Sequence, residues 1–428
     1  MRDVQDAMLL KSLLEEQSVW ANVCTEPGMV ALTASKAASL TDEFPDRIEV
    51  HLSGGVLKNA LSAGLPNTST KGPDMAAAIG AVVKKPEDGL NILGNATDEQ
   101  LEKAMSLVSS GKVQVKWARG HDGVYARCVI RTKSHEAEAV VQGSHTNFVR
   151  VSFDGSVIES ASLTDGGSSL RPLRGWTFHR LLEAVYSLDL NDLDWLLEGA
   201  RACTCLAEKS QTVAERVILP VRSNHRDSGK DMSMIDVAGN VSKAICARMN
   251  GVSWPVVTSG GSGNQGIMVG IPVLALGTEQ GLSKDQLIRA LAIAHSVNIL
   301  VKASIGEVSS SCGGLSAGAG LASAVCWMLG GNEAQMKEAA SQVLASLCGM
   351  LCDGAKATCA LKGSTAIVTA MTVGAGAVEG GSSIRDQGIV GGSFEETLSR
   401  LAALNSEVIN RSDALLFGLL GLDEKAGA

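Results

Sequence analysis

The stretch VYARCVIRTKSHEAEAVVQGSHTNFVRVSF, residues 124–153, breaks the pattern of the chain around it. VYARCVIRT, EAVVQG and NFVRVSF alternate apolar with polar residues or are β-branched, as strands with one buried face are. KSHE and GSHT separate them, and VQVKWA precedes them, so the four runs read as an antiparallel meander. On both sides the period returns to that of helices. Upstream, DVQDAMLLKSLLEEQ and PGMVALTASKAASL are helical, and Thr97 is placed to cap DEQLEKAMSLVSS. Downstream, WTFHRLLEAVYSL and NDLDWLLEGARACTCLAEKSQ open a long helical region. The expected fold is mainly α with an α+β insertion. An Ala/Gly-rich helical catalytic body takes 1–93 and 191–428, and a small antiparallel-sheet subdomain is inserted over 94–190.

Composition narrows the function. Apolar residues make up 45% of the chain and aromatic ones only 3%, beside 47 glycines, so the core must be built of small side chains with closely approaching backbones. A net charge of −8 without a run of Lys or Arg argues against nucleic acid. The acidic N-terminal helix is not a signal peptide, so a cytoplasmic location is expected. The uncharged window 308–332 is too rich in Gly, Ser and Ala for a membrane span and reads as a buried helix with its preceding loop. A small-molecule substrate is the expected partner, and a homo-oligomer is compatible with the sequence. Ten cysteines without a secretion signal suggest free thiols or metal ligands.

TSGGSGNQGIMVG, residues 258–270, contains G-x-G-x-x-G at Gly261, Gly263 and Gly266. A dinucleotide site needs a following helix and an acid about 20 residues on. Pro272 is expected to interrupt that helix, and Glu279 comes too early. SGNQG also resembles the substrate loop of pyridoxal-phosphate dehydratases, but no Schiff-base lysine motif accompanies it, so that cofactor is not expected. A tight turn and a backbone anion site for a carboxylate remain.

Cys312 in SSSCGG, with Cys352 and Cys359 in CDGAKATC, offers three thiolates from two loops. Such a set can ligate three irons of a cubane cluster and leave the fourth open. Seven residues of unbroken helix would hold Cys352 and Cys359 about 10 Å apart along its axis, so the segment must bend. Asp353-Gly354 is the turn dipeptide that allows it, and Lys356 is in reach to offset thiolate charge. Simple packing is the reading kept for Cys128, Cys203, Cys205, Cys246 and Cys326. Cys348, one helical turn before Cys352, is the candidate fourth ligand, and a zinc site lacks the usual close ligand pairs.

At these residues the sequence resembles the L-cysteine desulfidase family, related to the α-chain of iron–sulfur L-serine dehydratases. The resemblance rests on six ordered motifs: CTEP (24–27), HLSGGVLKNALSAGLPNT (51–68), GSHTNFV (143–149), SGNQGI (262–267), SSSCGGLSAGAG (309–320) and CDGAKATCALK (352–362). It implies a cluster on Cys312, Cys352 and Cys359 and β-elimination from L-cysteine to pyruvate, ammonia and sulfide. L-Serine on the same cluster is the alternative, and a non-catalytic iron–sulfur sensor is a second. Two positions depart from the family: Cys348-Gly349-Met350 stands where Thr-Gly-Met is common, and His145-Thr146-Asn147 where His-Thr-His is.

For this chemistry the candidate base is Cys24, a thiol expected to lose its proton easily beside cationic side chains. Lys58 is the second catalytic candidate. Glu26, Ser53, Asn59, His145, Thr146, Ser262, Gly263 and Asn264 are expected to hold the ammonium and carboxylate of the substrate.

Overall fold

The computed structural model describes residues 2–121, 123–161, 169–209, 233–306, 308–381 and 383–419. In chain order the elements are α1 (Arg2–Gln17), β1 (Trp20–Ala21), α2 (Thr25–Ala38), β2 (Arg47–Leu52), α3 (Gly54–Ala60), α4 (Pro73–Val83) and α5 (Asp98–Ser109). Strands β3 (Val113–Trp117), β4 (Tyr125–Arg131), β5 (Glu136–Gln142), β6 (Phe148–Phe153) and β7 (Ser156–Ser160) follow. Then come α6 (Phe178–Tyr186), α7 (Asp194–Lys209), α8 (Met234–Met249), β8 (Val256–Val257), α9 (Gly263–Glu279) and α10 (Lys284–Ile305). The last are α11 (Gly313–Met328), α12 (Glu333–Leu347), α13 (Cys359–Val378), α14 (Phe394–Leu404) and α15 (Ser412–Leu419), with a π-helical turn at Asn405–Ile409 before α15.

The mainly helical fold with a small sheet is as expected, but the sheet is larger than the meander. Its order is β3-β2-β4-β5-β6-β7. β2 inserts between β3 and β4, parallel to β3 and antiparallel to β4. A period-2 signal of only six residues, RIEVHL, was hidden in a segment whose flanks are helical. Its Ile48, Val50 and Leu52 face inward with Ala126, Cys128 and Ile130 of β4, while Glu49 faces outward and binds Arg131 at 2.6 Å. The alternation sorts apolar side chains to one face and ion pairs to the other.

Packing also divides the chain differently from the expected boundaries at 94 and 190. α2, β2, α4, α5 and the sheet share one hydrophobic core, and α1 with α6–α14 share the other. The α/β unit therefore begins near residue 20, and its core also takes Phe417 from α15.

Small residues do set the helix spacing. A Cβ on Gly320 of α11 would collide with the carbonyl of Ala294 in α10, and one on Gly80 of α4 with that of Ala31 in α2. The window 308–332 is a loop followed by α11, almost wholly buried. Among the described residues, two helices, α10 and α13, are long and apolar enough to cross a membrane, but 89% of the apolar window of α10 lies inside the protein. The Thr97 cap is present as a full capping box with Gln100. Pro272, by contrast, does not end its helix, because α9 runs through it to Glu279. The missing N–H removes one bond to the preceding turn, and burial of the helix on both sides of it outweighs that loss.

α10 also carries a buried imidazole. Burial pulls His295 down to about 3, and its Nδ1 lies 3.3 Å from Ser18 Oγ. A histidine lowered in the folded state contributes fully above its unfolded value of about 6.5, and that contribution is lost as pH falls from there toward 3. Stability should drop by about 2 kcal/mol between pH 7 and pH 5 from this group, and urea midpoints of His295→Gln should lack that slope.

Candidate active site

The two units meet around one cavity, with about 900 Å³ of open space including its mouth. Cys24, Glu26, Asn59 and His145 line it from one side, and Arg248, Ser262, Asn264, Gln265 and Lys302 from another. Cys312, Cys352 and Cys359 line the same space.

Backbone pairing brings the cysteine loops together. The Cys312 amide donates to the Met350 carbonyl at 2.8 Å and the Cys352 amide to Ser310 at 2.6 Å, on either side of a Ser311–Leu351 bridge. The bend expected in CDGAKATC is there. Gly354 has φ +98°, where a side chain is strained, and a Cβ on it would stand 2.6 Å from the Lys58 carbonyl. The chain becomes helical only at Cys359. Asp353 then clamps the loop by binding Lys362 at 2.5 Å and Lys356 at 2.8 Å. Burial opposes ionisation of Asp353, but the two lysines outweigh it and hold the carboxyl at about 2.

Burial, followed by the charge of Cys352, pushes the Cys312 thiol up to about 12, and burial also raises Cys359. Three thiolates here repel one another and need a cationic group between them. Among the described residues, no three Cys, His, Asp or Glu side chains converge closely enough for a single ion. Three thiols from two loops on one cavity fit a polynuclear group in which each metal takes one thiolate. Zinc, which needs its ligands around a single centre, fits them less well.

Beside the thiols, Glu26 is buried and accepts from Cys24 Sγ and Thr25 Oγ1 at 3.1 Å each and from Asn59 Nδ2 at 2.8 Å. Burial alone would raise its carboxyl. The charge of His145 and the bonds from Cys24 and Asn59 outweigh it and hold the group below its ordinary range. Asn59 also lies against the second cysteine, its Oδ1 3.8 Å from Cys352 Sγ. At the start of α9, Asn264 Oδ1 accepts from Arg248 at 3.3 Å.

Several sequence expectations change. Cys24 is not an acidified thiol: burial and then the Glu26 charge push it well above its ordinary value, and Arg248 offsets this only in part. Lys58 is buried with its ammonium on Asp413 at 2.5 Å and does not line the cavity. Ser53 is outside it too, donating to the Gly123 carbonyl at 2.6 Å. Thr146 is exposed, and Gly263 packs under the Arg248 guanidinium instead of facing the space. Cys348 points away, its thiol 3.4 Å from the Ala345 carbonyl. Among the packing cysteines, Cys205 is exposed and the other four are buried.

Sequence reasoning passed over Arg248, Gln265 and Lys302. Lys302 carried a signal, since it is the only Lys, Arg, Asp or Glu between Arg289 and Glu307. Its ammonium reaches the Gly260 carbonyl. One turn back on α10, Asn298 holds Gln265 at 2.9 Å and Ser259 at 2.8 Å.

The family profile described as serine dehydratase alpha chain matches residues 87–416. A UPF0597 protein of Moorella thermoacetica is 37% identical over 395 residues, 92% of each chain. Another, from Desulfatibacillum aliphaticivorans, is 32% identical and covers 97% of this chain and 98% of its own. That from Oleidesulfovibrio alaskensis is 34% identical over 95% and 96%.

Proposed function

The chain belongs to the serine dehydratase alpha chain family, and from that premise we propose that it is an iron–sulfur lyase converting L-cysteine and water to pyruvate, ammonia and sulfide. The observation that carries this reading is the sharing of one cavity by three cysteines and an ionised, buried Glu26.

Cys312, Cys352 and Cys359 would hold a [4Fe-4S] cluster. When bound, it supplies a Lewis-acidic iron that neutralises charge on the departing β-substituent. Glu26, oriented by Asn59, receives the substrate ammonium. Ser262, Asn264 and the backbone N–H groups that open α9 receive the carboxylate, as the start of a helix suits an anion. Arg248 adds positive charge behind them. With Cys24 held protonated, the imidazole of His145 in its neutral form takes the α-proton and pairs with Glu26 as the cation that results, and the Cys24 thiol serves as a donor to Glu26. Met268, Ile305 and Val308 on the wall limit water. The released aminoacrylate tautomerises and hydrolyses in solution.

The six ordered motifs favour cysteine as the substrate, whereas the name of the matched family favours serine. Anaerobically reconstituted protein should release equimolar sulfide and pyruvate from L-cysteine, with kcat/KM at least about tenfold above that for L-serine, a difference of about 1.4 kcal/mol. Pyruvate from serine alone would assign the dehydratase instead. A cluster without turnover on either amino acid would leave the sensor reading.

A further inference from the structure

Lys58 lies outside the cavity, yet two residues it adjoins, Asn59 and Gly354, line it. Asn59 bonds Glu26 and touches Cys352, and the Lys58 carbonyl packs on Gly354 of the cysteine loop. The ammonium is bound to Asp413, which belongs to α15. One turn further, Phe417 is 1% exposed, stacks on Trp117 of β3 at 4.8 Å between centroids, and fills the space left by the missing side chain of Gly54. α15 thus grips α3 at both ends. It reaches there from α14, which packs in the other core.

The π-helical turn between α14 and α15 makes a second set of bonds. Asn405 Nδ2 donates to the Ile305 carbonyl at 2.5 Å, and its Oδ1 accepts from Ser311 Oγ at 2.9 Å. Asn410 Oδ1 accepts from the Ser310 amide at 3.1 Å. Ser310 and Ser311 immediately precede Cys312. On the other side of this loop, Val308 occupies the place of a side chain on Gly55 of α3. The loop is held between α3 and the C-terminal segment, and that segment then crosses to α3 itself.

We propose that Asp413 and Phe417 are positioning residues for the cavity: they dock α15 on α3, and through Lys58 they hold Asn59 over Cys352 and against Glu26. The inference rests on the packing of these elements and holds whether or not the cavity carries the elimination proposed above. Lys58 accordingly acts through its neighbour and not on substrate. An ion pair between segments far apart in the chain suits this use, because its ammonium is almost fully enclosed while the carboxylate is reachable by solvent, with side chains 2% and 20% exposed.

The test uses the full chain, reduced and free of metal, so that its result is independent of turnover. Iodoacetamide labelling is followed peptide by peptide in the wild type, Asp413→Asn, Asp413→Glu and Phe417→Ala. Cys352 should label about tenfold faster in Asp413→Asn and Phe417→Ala, with Asp413→Glu near the wild-type rate. Cys128, in the sheet core, should label at its wild-type rate in all four, which separates local release of α3 from general loosening. Unchanged labelling of Cys352 in both Asp413→Asn and Phe417→Ala overturns the proposal. Parallel acceleration of Cys352 and Cys128 overturns it as well, since that result reports lost stability alone. In reconstituted protein, Asp413→Asn should raise KM more than it lowers kcat, because Asn59 orients the group assigned to the ammonium.

Discussion

Cys352→Ala, reconstituted anaerobically beside the wild type, should lose most of its iron and acid-labile sulfide, and its release of sulfide from L-cysteine should fall at least about 10³-fold. The expectation follows from how the loops are built. Cys352 contributes its amide to Ser310 as well as its thiol to the cavity, so alanine keeps the backbone pairing and removes one ligand only. A three-ligand cradle has no spare thiolate: Cys348 faces the Ala345 carbonyl and cannot substitute without unwinding the end of α12. Cys348→Ala should therefore retain full iron, and so should Cys128→Ala in the sheet core. Cluster content equal to wild type in Cys352→Ala would remove the central premise of the proposed chemistry. Loss of iron in Cys348→Ala, with Cys352→Ala unaffected, would move the cradle to a different set of thiols.

The contrast between Cys352 and Cys348 also shows what sequence could and could not give. The bend at Asp353-Gly354 was legible because it is a geometric necessity: two thiols seven residues apart cannot reach one group along a helix. The place of Lys58 was not, because a lysine beside a motif asparagine looks the same whether its ammonium faces substrate or an acid 355 residues away. Cys24 fails for a related reason. The sign of its shift depends on whether Glu26 or Arg248 dominates its surroundings and on complete burial, both of which are properties of the packed state. Strand β2 was missed on local grounds, and its parallel pairing with β3 is a long-range event across three helices that no six-residue pattern encodes. Pro272 shows the limit of propensity, since a helix buried from Gln265 to Val273 tolerates the loss of one hydrogen bond. The residues that face the cavity from Arg248 and Lys302 needed the fold, although an isolated lysine in an otherwise apolar stretch is itself a usable sign of a buried polar role.

His145→Gln should lower kcat for L-cysteine by about 10²- to 10⁴-fold while leaving iron and acid-labile sulfide at wild-type levels. Glu26 is ionised and accepts from Cys24 and Thr25 on Oε2 and from Asn59 on Oε1, which leaves an acceptor site on Oε1 for an ammonium, and an anion stabilised by these bonds is a weak base toward a carbon-bound proton. Cys24 keeps its proton, because a thiolate there would face the Glu26 carboxylate in a buried setting. Lys302 is spent on the Gly260 carbonyl. His145, on the turn between β5 and β6, is the histidine among the residues lining the cavity, and it stands against Gly261 beside the carboxylate site at the start of α9. Glutamine keeps a similar shape and hydrogen-bonding capacity but cannot accept the proton, so KM should change far less than kcat. Cys24→Ser should cost only about tenfold, since a hydroxyl can replace the thiol as donor to Glu26. The opposite order, with Cys24→Ser the more damaging and His145→Gln within about threefold of wild type, would return the base to Cys24 and require substrate binding to reverse its protonation.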